Sequence, residues 1–317
     1  MATGIQPEKI LKDLTQLWRD LAKEEGSDKN SGGVLRACAM TLIVAVEERD
    51  AAQTVGQTIA ELIHEHPSRA IVLDVQKDGG ADLDARVFAQ CWMPFGRRQQ
   101  ICCEEIEIAA PEHLLADVPK LLLALTVPDL PVVLWVRCPR SAMNTEFQRI
   151  FPLANKIIVD SDCFDDPNRA YAFVAETNRR GVNMVDLAWT RLTPWRQMVA
   201  QIFEDERHRP YLEKITKVSI VRGGNGAGSR YLASWFRRAL PRAQVRFDVA
   251  KEGTALSGIE MSGDGFSASI VLEDGAAVTK VNGVGGRAAM PATTEQALLR
   301  EELAIVGVDP VFRRCFE

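Results

Sequence analysis

The sequence predicts an α/β protein built as two α/β domains, each a mixed sheet with packed helices, the second ending in an antiparallel meander and a helix. Three observations lead there. Each half contains an apolar strand, an amphipathic helix and a second apolar strand in short order, the signature of a parallel βαβ unit. At 317 residues the chain can bury two separate cores. A composition of 46% hydrophobic and 26% charged residues is that of a folded domain.

The expected N-terminal domain spans 1–165. Ile10, Leu14, Leu17, Trp18 and Leu21 recur at helical spacing, giving a leading helix over 6–24. "EEGSDKNSGG" breaks it, so 25–34 reads as a linker. "RACAMTLIVAV" is a strand, followed by a helix with Val55, Ile59, Leu62 and Ile63 on one face, ended by Pro67. "SRAIVLDV" is the second strand of that unit. "LDARVFAQCW" and "QQICCEEIEI" read as a hairpin turning near Pro94 and Gly96. A helix through Leu114 to Leu125 precedes strands "PVVLWV" and "KIIVDS".

The expected C-terminal domain spans 166–317. Asp166-Pro167 is an N-cap followed by a first-turn proline, starting a helix that runs to about Arg180. Met198, Val199, Ile202 and Phe203 mark the next helix. "KVSIV", a glycine loop, "SRYLASWFRRAL" and "QVRFDV" form the second strand–helix–strand unit. Three short extended runs with turns at "SGDG" and "EDG" form the meander. Thr293 and Gln296 stand at capping-box spacing before the last helix.

Charge and composition narrow the function classes. A net charge of −5 disfavours nucleic acid and anionic membranes as partners. No apolar run approaches the ~20 residues needed to span a bilayer. "MATGIQPEKILKDL" lacks the basic start and apolar stretch of a secretory signal, so a cytoplasmic location is expected. The seven cysteines form no CxxC pair, which predicts mostly reduced, buried thiols and no metal site. The four histidines stand in no metalloprotease spacing, and neither a nucleophile elbow nor a P-loop occurs. No cofactor is expected.

Three stretches stand out. In "KVSIVRGGNGAGSRYLASW" the glycines Gly224, Gly226 and Gly228 lie between a strand and a helix, where backbone amides can hold a phosphate. Asp248, at the end of the next strand, stands where a ribose-binding acid would be. The spacing departs from G-x-G-x-x-G because Ser229 replaces the last glycine, and an ordinary strand-to-helix turn explains the loop too. In "ICCEEIEI", Cys102 and Cys103 must point to opposite faces of a strand, as must Glu104 and Glu105. The expectation there is core cysteines and solvated glutamates.

The third stretch, "DLAWTRLTPWR", places two of the six tryptophans within seven residues, among two arginines. Thr193-Pro194 is expected to cap a helix whose opening turn holds Trp195 and Arg196, with Trp189 and Arg191 just ahead of it. Such a corner could bind an anion, stack a sugar or anchor a protein, since tryptophan and arginine are enriched at interface hot spots. Filling an interior seam, with arginines stacked on the rings, is the structural alternative.

The longer segment "DLAWTRLTPWRQMVAQIF" closely resembles the hallmark of the glucose-6-phosphate dehydrogenase assembly protein family, OpcA. "HPSRAIVLD", "ICCEEI", "PDLPVVLW" and "IIVDS" resemble further blocks of that family, in its order, so the likeness runs from about Arg36 to Ile220. It implies a non-catalytic partner of glucose-6-phosphate dehydrogenase that favours the enzyme's active state. Trp189, Arg191, Thr193, Trp195 and Arg196 are the docking candidates, with Asp160 and Ser161 beside them. A nucleotide- or sugar-phosphate-binding protein using Gly224, Gly226, Gly228 and Asp248 is the alternative.

Overall fold

The computed structural model describes residues 6–26, 33–47, 49–77, 80, 82–94, 99–223, 226–250, 256–291 and 293–317. The chain divides into two compact units. The first takes residues 1–159, 182–184 and 302–307, and the second 160–181, 185–301 and 308–317.

The first unit opens with helix α1 (Pro7–Gly26), whose Ile10 and Leu14 are buried. The expected strand over 36–46 is β2 (Met40–Val46), and a short β1 (Val34–Arg36) precedes it. Helix α2 (Arg49–Leu62), β3 (Ser68–Gln76), β4 (Asp84–Trp92) and β5 (Gln100–Pro111) follow. Helix α3 (Val118–Leu125) is shorter than expected, beginning one residue before Pro119, a favourable place for proline. Then come β6 (Val132–Val136), a short helix α4 (Pro139–Ala142) and β7 (Lys156–Val159).

With β8 (Met184–Asp186) these strands form one eight-stranded sheet, in the order β1-β5-β3-β2-β6-β7-β8. β2 runs parallel to both β3 and β6, as the βαβ reading requires. Every residue of β2 and β6 is buried, because a parallel sheet is covered on both faces. β4 pairs antiparallel with β5 over Ile101–Ala109, confirming the hairpin. That stretch overlaps the pairings of β5 with both β1 and β3, so β4 lies on the opposite edge of β5.

Residues 302–307 belong to this unit for a visible reason. Lys156 is only 3% exposed, and its Nζ donates to the carbonyls of Glu302 (2.7 Å) and Ile305 (2.8 Å). Asn183 ties the same strand by donating to the carbonyls of Asn155 and Val306. A buried ammonium needs such partners to offset its lost hydration.

Cys91 and Cys102, directly opposite in register, form a disulfide, while Cys38, Cys103, Cys138, Cys163 and Cys315 are free thiols, so the set is mostly reduced. One expectation fails in the hairpin. Glu104 and Glu105 are not solvated: both are under 5% exposed. Glu105 accepts from Gln90 Nε2 at 2.8 Å, and burial pushes its carboxyl above the usual range.

The second unit begins with α5 (Pro167–Arg179), capped as expected by the Asp166 carboxylate, which accepts from the Asn168 and Arg169 amides. After β8 come α6 (Leu187–Thr190) and α7 (Thr193–Glu204). The parallel pair β9 (Ile215–Arg222) and β10 (Gln244–Val249) flanks α8 (Ala227–Ala239), the expected second βαβ unit. The meander has four strands rather than three: β11 (Gly258–Gly263), β12 (Phe266–Glu273), β13 (Ala276–Val281) and β14 (Val284–Ala289). They complete a mixed six-stranded sheet, β10-β9-β11-β12-β13-β14.

The register slips between Ser262 and Gly263, where a Cβ would lie 1.9 Å from the Lys214 carbonyl; only glycine fits that bulge. Helices α9 (Glu295–Leu303) and α10 (Pro310–Arg313) close the chain. Thr294, not Thr293, caps α9, accepting from the Ala297 amide at 3.2 Å. Among the described residues no helix is long and apolar enough to cross a membrane.

Candidate functional site

The segment that stands out in the sequence forms a corner of the second unit. Asp186 leaves β8 fully buried and caps α6. Its carboxylate accepts from the amides of Ala188 (2.9 Å) and Ser161 (3.0 Å) and from the Tyr231 hydroxyl (2.7 Å). Burial pushes this carboxyl up to about 6, against the hydrogen bonds from Ser161, Tyr231 and Ala188 that favour the anion. Tyr231, itself buried, is raised well above the usual phenol range by burial and by the adjoining carboxylate. One residue therefore fixes a strand end, a helix start and a turn.

Both indoles of the corner are interior. Trp189 is 1% exposed and Trp195 5%. Trp189 donates Nε1–H to Asp309 Oδ2 at 2.9 Å and packs against Phe312 and Tyr231. The Arg196 guanidinium lies 3.6 Å from the Trp189 ring centroid, a close cation–π stack. The rings thus build the corner from behind and offer little exposed area of their own.

Thr193 does not cap α7, since Leu192 holds that position with helical dihedrals and no capping bond. Thr193 instead donates Oγ1–H to Glu301 Oε1 at 2.7 Å and accepts from Arg196 Nη2 at 2.9 Å.

Arg191 is the charged centre. It donates to both oxygens of Asp160, at 2.8 Å to Oδ1, and to Asp162 Oδ2 at 2.9 Å. Burial opposes its charge, but the Asp160 bond and the charges of Asp160, Asp162 and Asp186 hold it above its ordinary value. Burial, then repulsion from Asp160, raises the Asp162 carboxyl. Three carboxylates around one guanidinium leave the corner with excess negative charge. Ser161, fully buried, serves through its backbone amide.

Beside the corner lies a cavity of about 220 Å³, with Asp162, Arg191 and Trp195 on its wall together with Gly226 and Ser229 from the start of α8. The structure thus brings the tryptophan segment and the glycine loop together. Their roles differ from a nucleotide fingerprint, however. A Cβ on Gly228 would meet the Ala188 carbonyl at 3.3 Å, so this glycine lets α8 pack on α6. Ser229 Oγ donates to the Gly226 carbonyl at 2.9 Å. Asp248 is engaged by the Ser219 hydroxyl and by Arg246 at 3.4 Å. Gly224 lies outside the described residues.

Sequence reasoning passed over Asp186, Tyr231 and Asp309. Asp309-Pro310 carries a readable signal, the same cap-plus-proline pattern as Asp166-Pro167, and Asp309 does cap α10. Nothing local to Tyr231 announces that it will meet a carboxylate 45 positions away.

Residues 59–176 match the family model described as glucose-6-phosphate dehydrogenase subunit N-terminal domain, and residues 182–316 the one described as its C-terminal domain. The chain is similar to proteins named OpcA, of the OxPP cycle. The one from Synechocystis sp. is 28% identical over 197 residues, covering 61% of this chain and 41% of that protein. The one from Nostoc punctiforme is 28% identical over 191 residues, covering 59% and 41%. The matched stretch therefore spans about two fifths of the length of these relatives.

Among solved structures, the 3-ketoreductase KijD10 from Actinomadura kijaniata, with TDP-benzene and NADP, gives a TM-score of 0.46 at 9% identity, covering 87% of this chain and 95% of that one. A likeness that distant carries no argument. The two family models lie in order and together cover most of the chain, and the hallmark segment forms one connected corner: the chain belongs to the OpcA family of glucose-6-phosphate dehydrogenase assembly proteins.

Proposed function

We propose that the chain is a non-catalytic partner of glucose-6-phosphate dehydrogenase, which it binds in the cytoplasm to favour the enzyme's active state in the oxidative pentose phosphate pathway. The observation that carries this reading is that both halves match domains described as subunits of that enzyme. The net charge of −5 is in line with a protein partner rather than nucleic acid or a membrane.

The docking surface in this reading is the rim of the corner: Arg191, Thr193 and Arg196, with Asp162 beside them. Trp189, Trp195, Asp160 and Ser161 hold that rim in shape. The physics is linkage: the partner must bind the competent state of the enzyme more tightly than the incompetent one. A tenfold effect on substrate affinity requires about 1.4 kcal/mol of coupling, within what allosteric contacts supply.

Mass measurement of a mixture with the dehydrogenase from the same organism tests the binding step. A complex is expected whose dissociation constant rises at least about tenfold in Asp162→Lys, because a reversed rim charge slows encounter and opposes docking. If no heavier species forms at any ratio, the reading fails.

A further inference from the structure

The first unit carries a second cavity, of about 560 Å³, between α1 and the strands β1, β3 and β5. That volume is in the range of small-molecule sites. Among the described residues that line it, the one carboxylate is that of Glu104, 3% exposed at its side chain. Among the described residues its donors are Trp18 Nε1 at 2.6 Å and Arg36 Nη2 at 2.7 Å on one oxygen, and Arg69 Nε at 2.6 Å on the other.

Three arginines line the cavity, Arg19, Arg36 and Arg69, so one carboxylate faces three guanidiniums and two positive charges are in excess. Arg69 carries the argument furthest. Its side chain is more than nine-tenths buried, its Nε is spent on Glu104 and its Nη1 on the Leu125 carbonyl (2.8 Å). Its Nη2 has no hydrogen-bond partner among the described residues. Arg19 makes no ion pair among the described residues, its charge acting only at longer range on neighbouring Asp20, and Arg36 leans over the Trp18 ring at 5.6 Å.

Arg69 holds one amino group open to a concave wall, where it can donate to an acceptor, and excess positive charge calls for an anion. Leu14 and the Trp18 ring supply an apolar floor for the rest of the ligand. We propose that this cavity binds a small multivalent oxyanion, a phosphorylated or polycarboxylate compound, with its charged end on Arg36 and Arg69 and Arg19 at the mouth. The proposal is independent of the dehydrogenase-binding reading, since it concerns residues of the first unit alone.

Calorimetric titration of the full chain at low salt, with pyrophosphate in one arm and citrate in the other, tests it. At least one should bind saturably, one per chain. The arm that binds more tightly distinguishes phosphate from carboxylate chemistry. Arg19→Gln and Arg36→Gln, both at accessible positions, should each weaken binding about tenfold, the loss of one charge-assisted bond. Arg69→Gln would leave Glu104 half-paired and could unfold the chain, so the two accessible variants decide. Arg179→Gln, on a surface helix, should change nothing. Binding should also shift tryptophan emission, and Trp18→Phe should remove that shift. Neither anion binding, or equal weakening by Arg179→Gln, would overturn the proposal.

Discussion

Each unit buries a cluster of charges, and the two clusters are unbalanced in opposite senses. In the first, one carboxylate, Glu104, is shared by Arg36 and Arg69 with help from an indole N–H. In the second, one guanidinium, Arg191, is shared by Asp160 and Asp162 with Asp186 behind. Their exposures differ too: Glu104 is 3% exposed at its side chain, whereas Arg191 is 27% exposed. The first cluster is therefore centred on a buried carboxylate, with Arg36 half-exposed and the spare charge facing a cavity. The second stands at a surface, where its charge can be read by another molecule. Burial decides how much each pair is worth, and the sign of the excess decides what each will attract.

The largest break in the comparison should come from Glu104→Ala. It strands two arginines, one of them almost fully buried, without their shared acceptor. Breaking a buried pair from one side costs about 3–5 kcal/mol, and denaturant unfolding should show that loss. Arg191→Ala, at the more exposed cluster, should cost less, and equal losses would show that the two clusters do not differ as argued.

Next comes the pH dependence of the second cluster. The Asp186 carboxyl is raised to about 6 from an ordinary 3.8, so the folded state binds its proton more readily than the unfolded chain does. Stability from this group is therefore greatest below about 4 and falls as pH rises through 6, by roughly 3 kcal/mol in all. Asp186→Asn keeps the shape and removes the titration. Thermal unfolding between pH 4 and 7 should show a difference between wild type and variant that grows with pH, in the variant's favour. A constant difference would contradict the assignment.

A smaller effect sharpens the packing side of the corner. Gly228→Ala places a methyl 3.3 Å from the Ala188 carbonyl, so α8 must shift slightly on α6. The expected loss is about 1 kcal/mol, offset in part by alanine's better helix propensity. The smallest effect is Arg179→Ala, which removes an exposed pair with Glu176 and should leave the unfolding midpoint unchanged.

What the sequence made legible follows from how far each determinant lies along the chain. β2 and β3 were readable because strands buried on both faces are continuous apolar runs. The Asp166 cap was readable because aspartate and proline are adjacent and act on their own neighbours. Thr193 and Thr293 misled because a cap depends on the dihedral angles of one residue, which the pairs Thr-Pro and Thr-Thr leave open.

The Cys91–Cys102 bond was missed because it requires the register of β4 against β5, and register is fixed by a connection whose geometry cannot be read from residue types. Glu104 was misread because its partners come from 35 and 86 positions away, on a strand and a helix with no local sign of meeting it. Whether the rings of the tryptophan segment face in or out turns on Asp309, 120 positions beyond Trp189.

In the proposed reading this chain acts by favouring one state of glucose-6-phosphate dehydrogenase. Initial rates of the dehydrogenase from the same organism, titrated with this protein at fixed substrate, test that most directly. The account predicts a saturable change in substrate affinity or turnover, reduced by Asp162→Lys, with no dehydrogenase activity from the chain alone. Rates that stay flat across the titration, or substrate turnover by the isolated chain, would contradict it.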